Sequence, residues 1–203
     1  MTARQKIAAA LSGGGALTAY ELSIEAGVPR QAVGAQLKKL LAADLVAVEV
    51  QGRHRYFRLA EDQAAAGRRP RRVRTGPKDP VLRKARSCYG HLAGDLGVAL
   101  YDGLARHGRI RVVGDKLDLT EPGREFFRGI GIDLDGIEGA RRPTCRRCLD
   151  WSVRRSHLAG GLGLALLAQF CELGWARRPA GSRLVQFSTA GERAFRSRFG
   201  LDA

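Results

Sequence analysis

One stretch of this chain occurs twice. His91-Leu-Ala-Gly-Asp-Leu-Gly-Val-Ala-Leu100 returns as His157-Leu-Ala-Gly-Gly-Leu-Gly-Leu-Ala-Leu166, an offset of 66 residues. A chain that repeats itself in this way is expected to fold as two like units in tandem, a pseudo-symmetric domain. The segments after each copy also correspond. Each leading helix, predicted to start at its histidine, runs to a glycine, Gly108 or Gly174. Two apolar-alternating segments around a turn come next: Ile110–Val113 with Lys116–Leu119, and Trp175–Arg177 with Leu184–Phe187. Thr120-Glu-Pro-Gly-Arg-Glu-Phe-Phe127 and Ser188-Thr-Ala-Gly-Glu-Arg-Ala-Phe195 then read as helices opened by a hydroxyl cap, and Gly-Ile-Asp133 matches Gly-Leu-Asp202. Residues 87–203 are therefore expected to form a duplicated helix–β-hairpin–helix domain, with repeats at about 88–135 and 154–203. Small residues at 93, 94, 97, 159, 160 and 163 are placed along one side of the leading helices, as close packing between them or against a second subunit requires. A cleft between the copies is a natural ligand site.

The first 60 residues follow a different plan. Residues 3–11 read as a short helix ended by Ser12-Gly-Gly-Gly15. Thr18-Ala-Tyr-Glu21 is a capping box that opens a helix to about Ala26, stopped by Gly27. Pro29 sits in the first turn of the next helix, where its missing N–H is not needed. That helix carries Val33, Leu37, Leu40 and Leu41 on one stripe and Arg30, Gln31, Gly34, Gln36 and Lys38 on the other face. After Ala43-Asp44, the segments Leu45–Val50 and Arg55–Leu59 flank Gln51-Gly52-Arg53-His54, a hairpin turn built around a glycine. A polar helix followed by a basic β-ribbon is the pattern of a winged helix-turn-helix.

Charge supports that assignment. Lys and Arg number 35 against 20 Asp and Glu, for a net charge of +15. Such an excess favours a polyanionic partner, double-stranded DNA before an anionic membrane surface. No apolar run approaches the roughly 20 residues that span a bilayer, and no secretory signal opens the chain. The expected location is cytoplasmic and nucleoid-associated, with no membrane partner. Between Arg68 and Arg86 stand nine Lys/Arg, with Pro70, Pro77 and Pro80 among them. The prolines forbid a continuous helix, so 61–86 reads as a basic linker with a helix starting near Pro80. It is either a solvated spacer or a strap that adds phosphate contacts.

From Leu17 to the closing Gly-Arg-His-Arg-Tyr-Phe-Arg-Leu59, the element order, the helix-ending Leu-Lys-Lys-Leu-Leu and the wing resemble the winged-helix domain of the ArsR/SmtB family of bacterial repressors. The resemblance covers about the first 60 residues. It implies a homodimer that binds operator DNA and releases it when an effector binds. It further implies that Gln31, Gly34, Ala35 and Gln36 face bases, with Arg53, His54 and Arg55 at the wing tip. One departure matters: this domain contains no cysteine. The thiolate pair that several members carry before the recognition helix is absent, and their arsenic or cadmium chemistry cannot be carried to that position.

Cysteine and histidine gather instead in the second half. Cys88 precedes His91, a Cys-x2-His spacing that on a helix would put both on one face. Upstream of His157 lies Cys145-Arg-Arg-Cys148-Leu-Asp-Trp151. These are the ligand types of a tetrahedral zinc site or a soft-metal sensor. The alternatives are that Cys88 and Cys148 are small buried apolar residues and the histidines cap helices, or that the histidines hydrogen-bond an organic ligand. Ala-Arg-Ser-Cys-Tyr-Gly-His-Leu-Ala-Gly94 and Cys-Leu-Asp-Trp-Ser-Val-Arg-Arg-Ser-His-Leu-Ala-Gly160 also resemble an ArsR-like subgroup with an extended C-terminal domain. That resemblance implies Cys88, His91, Cys148 and His157 as the set and leaves Cys145 as a private addition. Arg146 and Arg147 would favour a Cys148 thiolate, so redox sensing is a variant of the same idea.

No Gly-x-Ser-x-Gly elbow, phosphate-binding loop or His-Glu-x-x-His pair supports an enzyme. Asp150 is read as a helix N-terminal charge and Trp151 as core. The expected protein is thus α+β, mainly α: a homodimeric DNA-binding transcriptional regulator, a repressor in the first instance. A ligand, metal (zinc or another soft ion) or thiol event in the C-terminal domain would switch it. The competing readings are an architectural DNA-binding protein without effector, and a metal or redox protein whose winged helix contacts proteins.

Overall fold

A computed structural model describes residues 1–51, 53–60, 75–113 and 116–201. The chain divides into two compact units, Met1–Thr75 and Gly76–Ala203. The basic stretch 61–74, on which the spacer-or-strap reading turns, lies outside the described residues.

In the first unit, helices α1 (Ala3–Leu11), α2 (Ala19–Ala26) and α3 (Arg30–Ala42) precede the antiparallel strands β1 (Val46–Gln51) and β2 (His54–Leu59). Local chemistry sets each boundary. Thr2 and Thr18 both form complete capping boxes, with Gln5 and Glu21 reaching back to the cap amides. Gly27 ends α2 in the left-handed conformation that L side chains resist. Ile7, Leu11, Leu17, Leu22, Val28, Val33, Leu37, Leu40, Val46 and Phe57 close one core. The wing is tied to that core, because Leu17 and Phe57 exchange both backbone hydrogen bonds, at 2.9 and 2.7 Å.

The second unit opens with a short helix, α4 (Pro80–Lys84), capped by Asp79. Two runs of the same element order come after it. The first is β3 (Arg86–Cys88), β4 (His91–Ala93), α5 (Asp95–Arg106), β5 (Ile110–Val113), β6 (Lys116–Leu119) and α6 (Glu121–Gly129), then a short α7 (Leu134–Glu138). The second is β7 (Arg146–Leu149), β8 (Ser156–Ala159), α8 (Gly161–Glu172), β9 (Ala176–Arg177), β10 (Gln186–Phe187) and α9 (Thr189–Phe199). Consecutive strands pair antiparallel, two by two. Thr120 and Ser188 cap α6 and α9 through the amides of Gly123 and Gly191. A single core joins both runs, with Phe127, Phe170, Phe195 and Phe199 at its centre.

The leading helices do not begin at the histidines. Tyr89 and Gly90 take positive φ values of 50° and 94°, which folds β3 back on β4. Cys88 then stands directly across from His91, and Cys148 across from His157. The Cys-x2-His spacing is therefore a cross-strand pair and not one face of a helix. Gly94 and Gly160, with φ near 90° (87° and 89°), are the turn into the helices, which start at Asp95 and Gly161. Residues 93, 94, 159 and 160 accordingly belong to strands and caps.

Only Gly97 and Gly163 act as helical packing glycines in the sense expected from sequence. A β-carbon on Gly97 would meet the Leu92 carbonyl oxygen at 2.5 Å and the His157 Cβ at 3.6 Å. One on Gly163 would meet the Leu158 oxygen at 2.5 Å and the His91 Cβ at 3.2 Å. Each helix thus rests against the histidine strand of the other run with no side chain between. Gly163→Ala is expected to destabilise this unit by about 1–3 kcal/mol through overpacking. Gly129→Ala, whose β-carbon meets nothing within 4 Å, should not destabilise it and gains up to about 1 kcal/mol from helix propensity. Both tryptophans, Trp151 and Trp175, lie in the second unit, so urea unfolding followed by their fluorescence reads it alone.

Candidate functional site

Two groups of side chains answer to the sequence reading, one in each unit. In the first, α3 buries Val33, Leu37 and Leu40. The opposite stripe, at the spacing i, i+3, i+4, i+7, consists of Gln31, Gly34, Ala35 and Lys38. Gln31, Ala35 and Lys38 are exposed, Gly34 and Gln36 partly so. Arg30 stands at the start of the helix with its guanidinium 5.3 Å from the Tyr20 ring centre, a restraint that sequence reading missed. At the wing, Gln51 pairs with His54, and Arg53, His54 and Arg55 are exposed. Arg55 reaches over Phe57, at 5.9 Å from the ring centre. The helix therefore offers amide, backbone and ammonium groups at the residues that could read base edges, and the wing offers guanidinium groups for phosphates.

In the second unit, Cys88, His91, Cys148 and His157 come together. Their ligand atoms all lie within 4.8 Å of one another. The two Nε2 atoms are 3.0 Å apart, and the imidazoles stack with centroids 4.9 Å apart. His91, Cys148 and His157 are buried, while Cys88 is partly exposed. Neither histidine caps a helix. The Cys148 thiol donates a hydrogen bond to the Cys88 sulfur and, against the opposing effect of burial, His157 and His91 reinforce it. Together they hold Cys88 well below the usual thiol range, as thiolate.

Cys145 belongs elsewhere. It lines an open cavity of about 620 Å³ together with Arg111, Lys116, Arg124, Arg146 and Arg147. Burial pushes its thiol up to about 12, with Asp118 and Glu138 adding to the effect and Arg124 opposing it. Arg146 and Arg147, expected beside a Cys148 thiolate, thus line the Cys145 cavity.

Asp150 and Trp151 correct the sequence reading. Asp150 caps no helix of its own. It is buried in an ion pair with Arg86, whose Nη2 lies 2.7 Å from both carboxylate oxygens. It also accepts from the amides of Gly94 (2.7 Å), Ser152 (2.8 Å) and Val153 (3.0 Å) and from the Ser152 hydroxyl (2.6 Å). Burial alone would raise its pKa. The Ser152 hydroxyl, the Arg86 charge and the amides overcome this and hold the carboxyl well below the usual range. The second oxygen of Asp150 lies 3.9 Å from Nδ1 of His157, a buried nitrogen without a hydrogen-bond partner. Trp151 is 40% exposed and covers the Arg86 guanidinium at 5.4 Å instead of joining the core.

Among curated proteins, the chain is similar to an uncharacterized HTH-type transcriptional regulator, YdfF, of Bacillus subtilis (strain 168). The two are 37% identical over 203 residues, which covers 95% of this chain and 89% of the relative. The chain belongs to the HTH-type transcriptional regulators. No protein-family model matches it, and no solved structure does. DNA binding and transcription regulation follow from that membership, and the similarity extends across both units of the regulator. Among the described residues, no helix is long and apolar enough to cross a membrane.

Gly34 offers a way to test fold and DNA recognition apart. A β-carbon there meets nothing within 4 Å, so Gly34→Ala should leave the fold intact and stabilise α3 by about 0.5–1 kcal/mol. If α3 docks closely in a groove, the same methyl should weaken operator binding. Thermal unfolding and fluorescence anisotropy on one preparation would show opposite signs. Unchanged anisotropy would place the contact surface elsewhere.

Proposed function

We propose that this regulator is an ArsR-type repressor that binds a two-fold operator as a homodimer, with α3 in the major groove and the wing on the flanking backbone. The observation that carries the reading is the stripe of exposed Gln31, Ala35 and Lys38 and half-buried Gly34 opposite the buried Val33, Leu37 and Leu40. Arg30 and the exposed Arg53, His54 and Arg55 flank that stripe. The net charge of +15 supports a strong phosphate component. A dimer is the simplest way for one short reading helix to gain specificity, with half-sites about one helical turn apart. The second unit is the receiver in this proposal, because the thiols and imidazoles lie there and the first unit has no cysteine. Its recurring element order supports a duplicated module, with each copy supplying one cysteine and one histidine.

Operator selection followed by anisotropy over a salt series tests the assignment. Arg53→Ala is expected to weaken binding to every sequence and to reduce the salt slope by about one. Gln31→Ala is expected to lose about 1–3 kcal/mol on the operator and little on random DNA. Equal losses by both variants on both duplexes would overturn the division of roles. Absence of any preferred sequence would point to an architectural DNA-binding protein.

A further inference from the structure

We propose that Cys88, His91, Cys148 and His157 form a closed, tetrahedral centre for one zinc-class divalent ion, assembled half from each of the two runs in the second unit. The proposal deepens the reading of that unit as the receiver and is independent of how the winged helix reads DNA.

Distance is the first argument. In a tetrahedral Cys2His2 site, bonds of about 2.0–2.1 Å to nitrogen and about 2.3 Å to sulfur place neighbouring ligand atoms about 3.3–3.8 Å apart. Here the two Nε2 atoms are 3.0 Å apart and all four ligand atoms fall within 4.8 Å. Small side-chain adjustments suffice to receive an ion.

The second argument is the direction of the lone pairs. Two buried imidazoles that point the same nitrogen at each other can share only one proton between them. Two sulfurs converge on the same point. Hydrogen bonds pair these groups only by keeping protons between converging lone pairs, whereas a cation takes all four donors at once.

The outer side of His157 fits as well. Its Nδ1 is buried, lacks a hydrogen-bond partner and faces Asp150 at 3.9 Å. A proton on Nδ1 directed at that carboxylate leaves Nε2 free as a ligand, the usual carboxylate–histidine–metal arrangement. Charge closes the case: two thiolates neutralise a divalent ion, and Asp150 is already neutralised by Arg86. Two sulfurs and two imidazole nitrogens select a borderline or soft ion over magnesium or calcium. Four protein ligands leave no open position, so the centre is structural or regulatory and not catalytic.

The test uses the full chain. Purified from zinc-supplemented medium, it should carry one zinc per chain by native mass spectrometry. Replacement by Co2+ should give intense tetrahedral visible bands and thiolate-to-cobalt charge transfer in the near ultraviolet. Cys145→Ser and Cys171→Ser should keep both signatures, while Cys88→Ser and Cys148→Ser should lose or shift them. A chain that binds neither zinc nor Co2+, or a charge-transfer band that survives serine at both 88 and 148, would overturn the centre. Should Cys148→Ser fail to fold, the wild-type spectrum together with the Cys145 and Cys171 variants still decides. Operator affinity of the zinc-loaded and stripped forms, measured on the same preparations, keeps the two readings apart. Metal bound with affinity unchanged supports the centre and sinks the receiver role.

Discussion

The second unit depends on one buried ion pair, Arg86 with Asp150. Both side chains are almost wholly withdrawn from solvent, a situation whose desolvation cost is recovered only when nearly every donor and acceptor finds a partner. Asp150 meets that condition with the guanidinium, three amides and a hydroxyl. Arg86 adds the Leu82 carbonyl and the face of Trp151. Because Arg86 opens β3 and Asp150 follows β7, the pair pins the two cysteine strands to each other. The Gly94 amide brings in the start of α5 as well. Removing either charge would leave the other buried alone, at a cost of about 3–5 kcal/mol. The positions of Cys88 and Cys148 rest on that clamp.

Around the clamp the two runs exchange supports. α5 sits on the strand that carries His157, and α8 on the strand that carries His91, each through a glycine that admits no β-carbon. Ser87 and Val185 extend the exchange, since their amides donate to Arg183 and Ala85 respectively. Each leading helix thus packs on the histidine strands of both runs, and one core serves the whole unit.

Much of this was legible in the sequence, and the exceptions share a physical cause. The stripe on α3, the Thr18 box and the Thr120 and Ser188 caps depend on contacts three or four residues apart. They appear in the structure as local rules require. The histidine helices did not. β3 and β4 are three residues each, too short to show a period, and a positive φ at Tyr89, a non-glycine residue, is not announced by its side chain. With Cys88 and His91 only three residues apart, helix and hairpin both bring them together, so the spacing foretold their proximity through the wrong element. The role of Asp150 was invisible because its partner lies 64 residues away. The one hint was its place beside Cys148.

The contrast between the two units says where sensitivity to a signal can arise. Among the described residues of the first unit, the one buried charged side chain is a capping glutamate, Glu21. The second unit brings together two buried imidazoles (His91, His157), a buried thiol (Cys148), one arginine (Arg86) and a carboxylate (Asp150). A low-dielectric cluster of that kind changes energy steeply with any proton, ion or oxidation state it gains or loses. The glycine contacts under α5 and α8 then matter a second time. With no side chain between helix backbone and histidine strand, the helices and the two histidines pack as one rigid layer.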